Sequence, residues 1–268
     1  MIKDITIGQF FPGNSVIHRM DPRMKIILTI YYIVLLFCIG NFWGFALMAA
    51  LMVAVILISK IPVSIVLKSI RPLLFIIAFT AFFNVFNGDG QIIFPEVSFL
   101  GWLTWGGVAN AAFMIVRIIL LIVGTSFMTY TTSPVMLTDA IEKLLMPLRI
   151  FKLPVHELAM MMTIAMRFIP TLIDEAEKIM NAQKARGADF ETGNIVRRAK
   201  ALIPILIPLI VSAFRRAEEL ADAMECRCYN GESGRTRYKE YGFTFKDYVS
   251  FGIFVLITAA VIFLNVLF

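Results

Sequence analysis

Two arginines stand in matched surroundings. Asp174–Arg186 and Arg215–Arg227 align without gaps at an offset of 41 residues, with Ala176/Ala217, Glu177/Glu218, Ala182/Ala223 and Arg186/Arg227 identical. Ala185 and Gly187 flank the first arginine, and Cys226 and Cys228 flank the second. A cation at a helix C-terminus is favoured by the helix dipole. The guanidinium fork binds a carboxylate through two parallel hydrogen bonds. Two such tips, each with small neighbours, make a two-pronged plug for a pair of similar, acid-lined sockets. A single arginine at a helix end ordinarily just satisfies terminal carbonyls. A pair in matched flanks is harder to account for in that way.

Other chemistry-bearing residues carry less. Cys226-x-Cys228 has the softness for a metal, but only His18 and His156 exist to complete a site, and neither is near in sequence. The pair reads as two small residues at a helix end, and with Cys38 gives no disulfide framework. His156-Glu157 lacks the second histidine of a zinc protease helix. Asp174, Glu175 and Glu177 read as a solvated face. Asp21-Pro22 reads as the N-cap and first-turn proline of an opening helix. The chain has no Gly-x-x-x-x-Gly-Lys and no Gly-Lys pair, hence no phosphate-binding loop, no catalytic constellation and no cofactor of its own. The 15 methionines, with Met160, Met161, Met162 and Met166 close together, suit either a surface that repacks against different partners or plain core and lipid contact.

These residues need elements to hold them, and composition says in what medium. Of 268 residues, 59% are hydrophobic and 16% charged, against about half and a quarter in soluble domains. This excess predicts an all-α integral membrane protein. It excludes a soluble enzyme, a disordered chain and a disulfide scaffold. The basic balance, Lys+Arg 25 against Asp+Glu 19, then reports topology rather than nucleic acid binding.

Residues 26–59 carry no charge. As one helix they would run roughly 50 Å, too long for a hydrocarbon core of about 30 Å, so Gly40-Asn41 reads as a turn between two spans. Residues 72–88, opened by Arg71-Pro72, give a third span, about 107–130 a fourth, and 248–268 the last. Residues 87–106 read as an external loop. Arg117, some ten residues into the fourth span, is costly there. It reads either as an intramembrane or partner contact, or as a side chain snorkelling outward or packing on a tyrosine. About five transmembrane helices put every basic segment on one side. The N-terminus is then cytoplasmic and the C-terminus outside.

The chain divides into 1–130 (an arm and four spans), 131–246 and 247–268 (the final span). Residues 131–246 hold 17 of the 25 basic residues and read as three long amphipathic cytoplasmic helices inserted before the last span. The first opens at Ser133-Pro134. The second runs from about Val155 to Arg186, ending at Gly187 in a left-handed cap. The third runs from about Ile195 to Cys228. Pro170 and Pro204/Pro208 should bend the two long ones. Residues 200–214 are apolar, but Arg215-Arg216 cuts them short, so they read as a partly immersed helix rather than a sixth span.

Together these features resemble the transmembrane T components of energy-coupling factor (ECF) transporters, the CbiQ-like proteins. Ser15-Val-Ile-His18-Arg19-Met-Asp21-Pro22-Arg23-Met-Lys25 resembles their opening motif. Thr132-Ser133-Pro134, Arg167-Phe-Ile-Pro170 and Glu175-Ala-Glu177 are similar to further family motifs, and the helix tips to paired Ala-Arg-Gly boxes. Ala185-Arg186-Gly187 matches fully, while Cys226-Arg227-Cys228 keeps only the arginine. The resemblance implies a non-catalytic coupling subunit in the cell membrane of a prokaryote. Its expected partners are two cytoplasmic ABC-type ATPases, which bind the ATP and magnesium, an S component that binds a vitamin or metal ion, and the bilayer. Arg186 and Arg227 would dock into the ATPases. The competing classes are a self-contained secondary transporter or channel, which needs inverted repeats and midplane polar groups, and a membrane-embedded enzyme, which needs paired acidic or histidine motifs facing a cavity.

Overall fold

The computed structural model describes residues 10–86, 104–151, 154–190, 194–229 and 242–267. The regular elements among them are helical: α1 (Pro22–Cys38), α2 (Phe42–Ser59), α3 (Val63–Ile70), α4 (Leu74–Phe86), α5 (Trp105–Thr131), α6 (Pro134–Leu145), α7 (Val155–Ala185), α8 (Ile195–Glu225) and α9 (Phe245–Leu267), with short 3-10 segments at Arg71–Leu73 and Met146–Phe151. They form two compact units, one from the described residues of 10–140 and 242–267 and the other from those of 141–229.

Among the described residues, four helices are long and apolar enough to cross a membrane: α2, the run Val63–Phe86, α5 and α9. α1, read from sequence as the first of five spans, has 17 residues, about 25 Å of helix. Its Leu35 and Leu36, and Ile39 just beyond its end, are buried in the shared apolar core with Phe45, Met48, Leu120 and Val123. The break before α2 falls at Gly40-Asn41 as the lack of charge predicted. Arg71-Pro72 does not open the third span. The helix begins at Val63, and the proline sits in a single 3-10 turn between α3 and α4. Proline lacks the N–H of an α-helical bond, and the tighter turn carries the chain past it. Most of the predicted external loop, 87–103, lies outside the described residues.

Two glycines set helix separations in the first unit. A Cβ on Gly107 of α5 would overlap the Val85 carbonyl of α4, and one on Gly124 would overlap the Tyr32 ring of α1. Tyr32 lies against that gap and donates its hydroxyl to Leu120 O at 2.9 Å.

Both ends of α1 are tied by polar groups. At the N-terminal end Asp21 caps the helix, accepting from Arg23 N at 2.9 Å. Asp247 of α9 accepts from Asp21 N at 3.1 Å and from Thr244 N at 2.7 Å, so one carboxylate caps α9 and pins it to α1. The Lys25 ammonium donates to Thr131 O (2.8 Å), Thr132 Oγ1 (3.2 Å) and His18 O (3.4 Å). Lys25 and Asp247 are only 6% and 1% exposed, and charges buried that far stay folded only when surrounded by partners. His18 Nε2 donates to Phe11 O at 3.0 Å, so its Nδ1 accepts from the Ser15 hydroxyl at 2.7 Å. Phe11 N in turn donates to Tyr130 O. The opening motif is thus a knot joining the arm, α1, α5 and α9.

At the other end Arg117 Nη2 donates to Ile39 O at 2.7 Å, and its guanidinium lies 5.4 Å from the Phe45 ring centroid. It satisfies a carbonyl at the C-terminal end of α1 from a neighbouring helix. The ring beneath it is a phenylalanine rather than a tyrosine. Asn265 Nδ2 donates to Cys38 O, and Asn41 Nδ2 to Leu264 O, closing the α1–α2 turn onto α9.

Candidate functional site

In the second unit α7 and α8 are each 31 residues long and carry their prolines in mid-helix, Pro170 and Pro204/Pro208. α8 is not among the helices long and apolar enough to cross, in keeping with the reading that refused a sixth span. Yet Leu206, Ile207, Ile210, Val211 and Phe214 along it are exposed.

The matched sequences fold into matched tips. α7 ends at Ala185. Gly187 N donates to Lys184 O at 3.0 Å and Ala188 N reaches back to Gln183 O at 3.0 Å. α8 ends at Glu225, three residues sooner than the cap at Cys228. There Cys228 N donates to Glu225 O at 2.8 Å and Tyr229 N to Met224 O at 3.0 Å. These are the same two bonds shifted by the repeat offset, and each pair is a Schellman cap. The capping residue is left-handed in both, φ 88° at Gly187 and 55° at Cys228. Glycine has no Cβ to oppose that conformation; a cysteine pays about 1 kcal/mol for it. Ala185, Arg186 and Gly187 are exposed, as are Cys226, Arg227 and Cys228.

The repeat also pairs Glu175, which the sequence reading left on a solvated face, with a base on the next helix. Arg216 Nη2 lies 3.3 Å from Glu175 Oε2, and these positions are equivalent in the ungapped alignment. Contact between equivalent positions is what an approximate two-fold relation produces at its axis. Arg186 lies eleven residues beyond Glu175, and Arg227 eleven beyond Arg216, about 16 Å of helix in each case. Half-exposed, the pair contributes at most about 1 kcal/mol, so its value is register. The signal was legible, since the alignment sets an acid on one helix against a base on the other. Beside the pair, Phe168 and Leu172 face Ala213, Ala217 and Leu220 across a groove of about 240 Å³.

The remaining candidates are not brought to the tips. His156 Nδ1 lies 3.1 Å from Glu142 Oε1, joining the start of α7 to α6. Cys38, Cys226 and Cys228 are free thiols. Among the described residues no cluster of His, Cys, Asp and Glu could hold a metal ion. What the tips offer is a pair of equally presented guanidinium groups, able to bind carboxylates but not to carry out bond chemistry.

Comparison with known proteins bears on the whole chain. The family described as CbiQ, cobalt transport protein, matches residues 13–238. A protein of Ruminiclostridium cellulolyticum named energy-coupling factor transporter transmembrane protein EcfT is 52% identical over 268 residues, all of both chains. Proteins of the same name from Thermosediminibacter oceani and Bacillus subtilis are 52% and 42% identical, covering 93% and 98% of this chain and 94% and 98% of their own. The apolar spans, the knotted opening motif and the paired tips all lie within that shared length, and the chain belongs to the CbiQ family of membrane transport proteins.

Proposed function

We propose that this chain is the transmembrane coupling (T) subunit of an ECF-type importer. It links ATP hydrolysis by two cytoplasmic ABC-type ATPases to the movement of a substrate-binding S component that takes up a vitamin or a metal ion. It sits in the plasma membrane with its N-terminus and the 131–246 region cytoplasmic and its C-terminus outside, the arrangement that the distribution of basic residues favours.

The observation that carries this reading is the duplicated tip. Arg186 and Arg227 project from equal arms with the same cap, so each enters an acidic socket of one ATPase while Ala185, Gly187, Cys226 and Cys228 keep the approach narrow. Closure of the ATPase pair then moves both arms through the Glu175–Arg216 contact. The exposed apolar residues of α8 supply a surface for the S component. The names of the relatives support this assignment. The cobalt in the family description belongs to that description, and the cargo follows from whichever S component binds.

A pull-down in mild detergent tests it, using wild type, Arg186→Ala, Arg227→Ala and the double variant, with partners identified by mass spectrometry. Each arginine makes charge-assisted bonds worth about 2 kcal/mol. Each single change should therefore weaken ATPase capture by more than tenfold and the double change abolish it. Full capture by the double variant would remove the mechanism. Substrate flux by the purified chain alone in liposomes would instead establish a self-contained transporter.

A further inference from the structure

The first unit contains a cavity that the coupling role does not use. It has a volume of about 630 Å³ and lies between α2 on one side and α1 and α9 on the other, with α5 behind. At the α1–α2 turn, α2 and α9 are drawn together by Asn41 and the Leu264 carbonyl. Toward Lys60 and Lys246 they part, and the space between them is walled by Leu51, Val55 and Ile58 of α2 and Val249 and Ile253 of α9. It is therefore a wedge, closed at the turn and open at the basic end of the bundle.

Its walls are mainly apolar. The polar side chains turned inward are already satisfied: Lys25 by Thr131, Thr132 and His18, Thr29 by Lys25 O, Tyr32 by Leu120 O, and Ser250 by Lys246 O. A polar solute would find no unmet partner inside. Lys246 lines the mouth and is exposed, and Lys60, two residues beyond Ile58, is exposed at the same end. A mainly apolar cavity with exposed lysines at one end suits an amphiphile with a hydrocarbon chain and an anionic head, and the bilayer surrounding the spans supplies such molecules.

We propose that this wedge holds one acyl chain of an anionic phospholipid, with the phosphate of its headgroup against Lys246. The bound chain fills the gap between α2 and α9 and completes the packing of the basic end, while the headgroup charge selects the lipid. A neutral phospholipid has the chain without the net charge, so Lys246 gives it no advantage.

The test uses the full chain reconstituted into vesicles of dioleoylphosphatidylcholine mixed equally with dioleoylphosphatidylglycerol, then extracted gently and weighed with its adherent lipids by native mass spectrometry. Wild type should retain one phosphatidylglycerol in preference to phosphatidylcholine, and added inorganic phosphate should not displace it. Lys246→Ala should reduce the preference about fivefold, as expected for one basic residue at an anionic surface, and Lys246→Arg should keep it. Val55→Trp, which fills the wedge from α2, should eliminate the retained lipid. Ile253→Trp does the same from α9 should the first variant fold poorly. Equal retention of the two lipids by wild type, or undiminished retention in both folded tryptophan variants, would overturn the proposal.

Discussion

The two units use similar helices in opposite ways. In the first, buried apolar residues from α1, α2, α5 and α9 close on one another, and polar ties lock both ends of α1. In the second, two of the longest helices in the chain bury little. Val155 and Ala159 are buried on α7 and only Ile205 on α8, among the described residues, while a row of large apolar side chains on α8 stays exposed. Helices with apolar faces thus close on one another as a self-contained scaffold in one place and leave much of those faces exposed in the other. The difference lies in what crosses between helices. In the scaffold it is buried lysine, aspartate and glycine close-packing. In the arms it is a half-exposed ion pair.

The comparison can be broken from the scaffold side first. Gly107→Ala forces a methyl into the Val85 carbonyl. Since neither backbone can yield cheaply, about 3 kcal/mol should be lost, read as a drop in the thermal transition of the chain in detergent. Gly124→Ala should cost less, because the Tyr32 ring can shift. Lys25→Met comes next. It strands the Thr131 carbonyl and removes the positive charge beside the buried Asp247 carboxylate, costing about 2 kcal/mol. An unchanged transition in Lys25→Met would show the knot to be incidental.

On the arms the effects should be smaller and opposite at the two tips. Cys228→Gly relieves a left-handed side chain and should strengthen the α8 cap by about 1 kcal/mol, seen as roughly fivefold slower hydrogen exchange at the Tyr229 amide. Gly187→Ala should weaken the α7 cap by the same amount, read at Ala188. Equal responses of the same sign would contradict the shared cap.

The smallest effect concerns pH. Burial lowers the His18 pKa from its ordinary 6.5, helped by the nearby Lys25 charge and opposed by the hydrogen bond to Phe11 O. The folded state therefore binds fewer protons at this site than the unfolded one. Stability from His18 is complete above about pH 6.5 and is lost as pH falls below it toward the folded value. The thermal transition of wild type should fall between pH 7.5 and 5.5 by more than that of His18→Gln, and parallel profiles would show that His18 does not titrate on unfolding.

Much of the molecule was legible in the residues. Uncharged windows located α2 and α9 within a few positions, and Gly40-Asn41 marked the turn. Gly187 announced its cap because only glycine takes a left-handed φ without penalty. Cys228 did not, because nothing about a cysteine signals that conformation. Pro72 misled for a related reason. Proline marks either a helix start or an interruption, and the residues packed around it, not its type, decide which.

The sequence by itself determined the medium, the helices and the repeat, because hydrophobic excess, charge spacing and an ungapped alignment are properties of the chain alone. Tertiary structure decided the partners. Asp247 meets Asp21 across 226 positions, Lys25 meets Thr131 across 106, and Arg117 finds the Ile39 carbonyl. No local pattern encodes such pairings, because a buried charge is placed by whichever distant backbone group the packing of apolar faces happens to bring within hydrogen-bond reach.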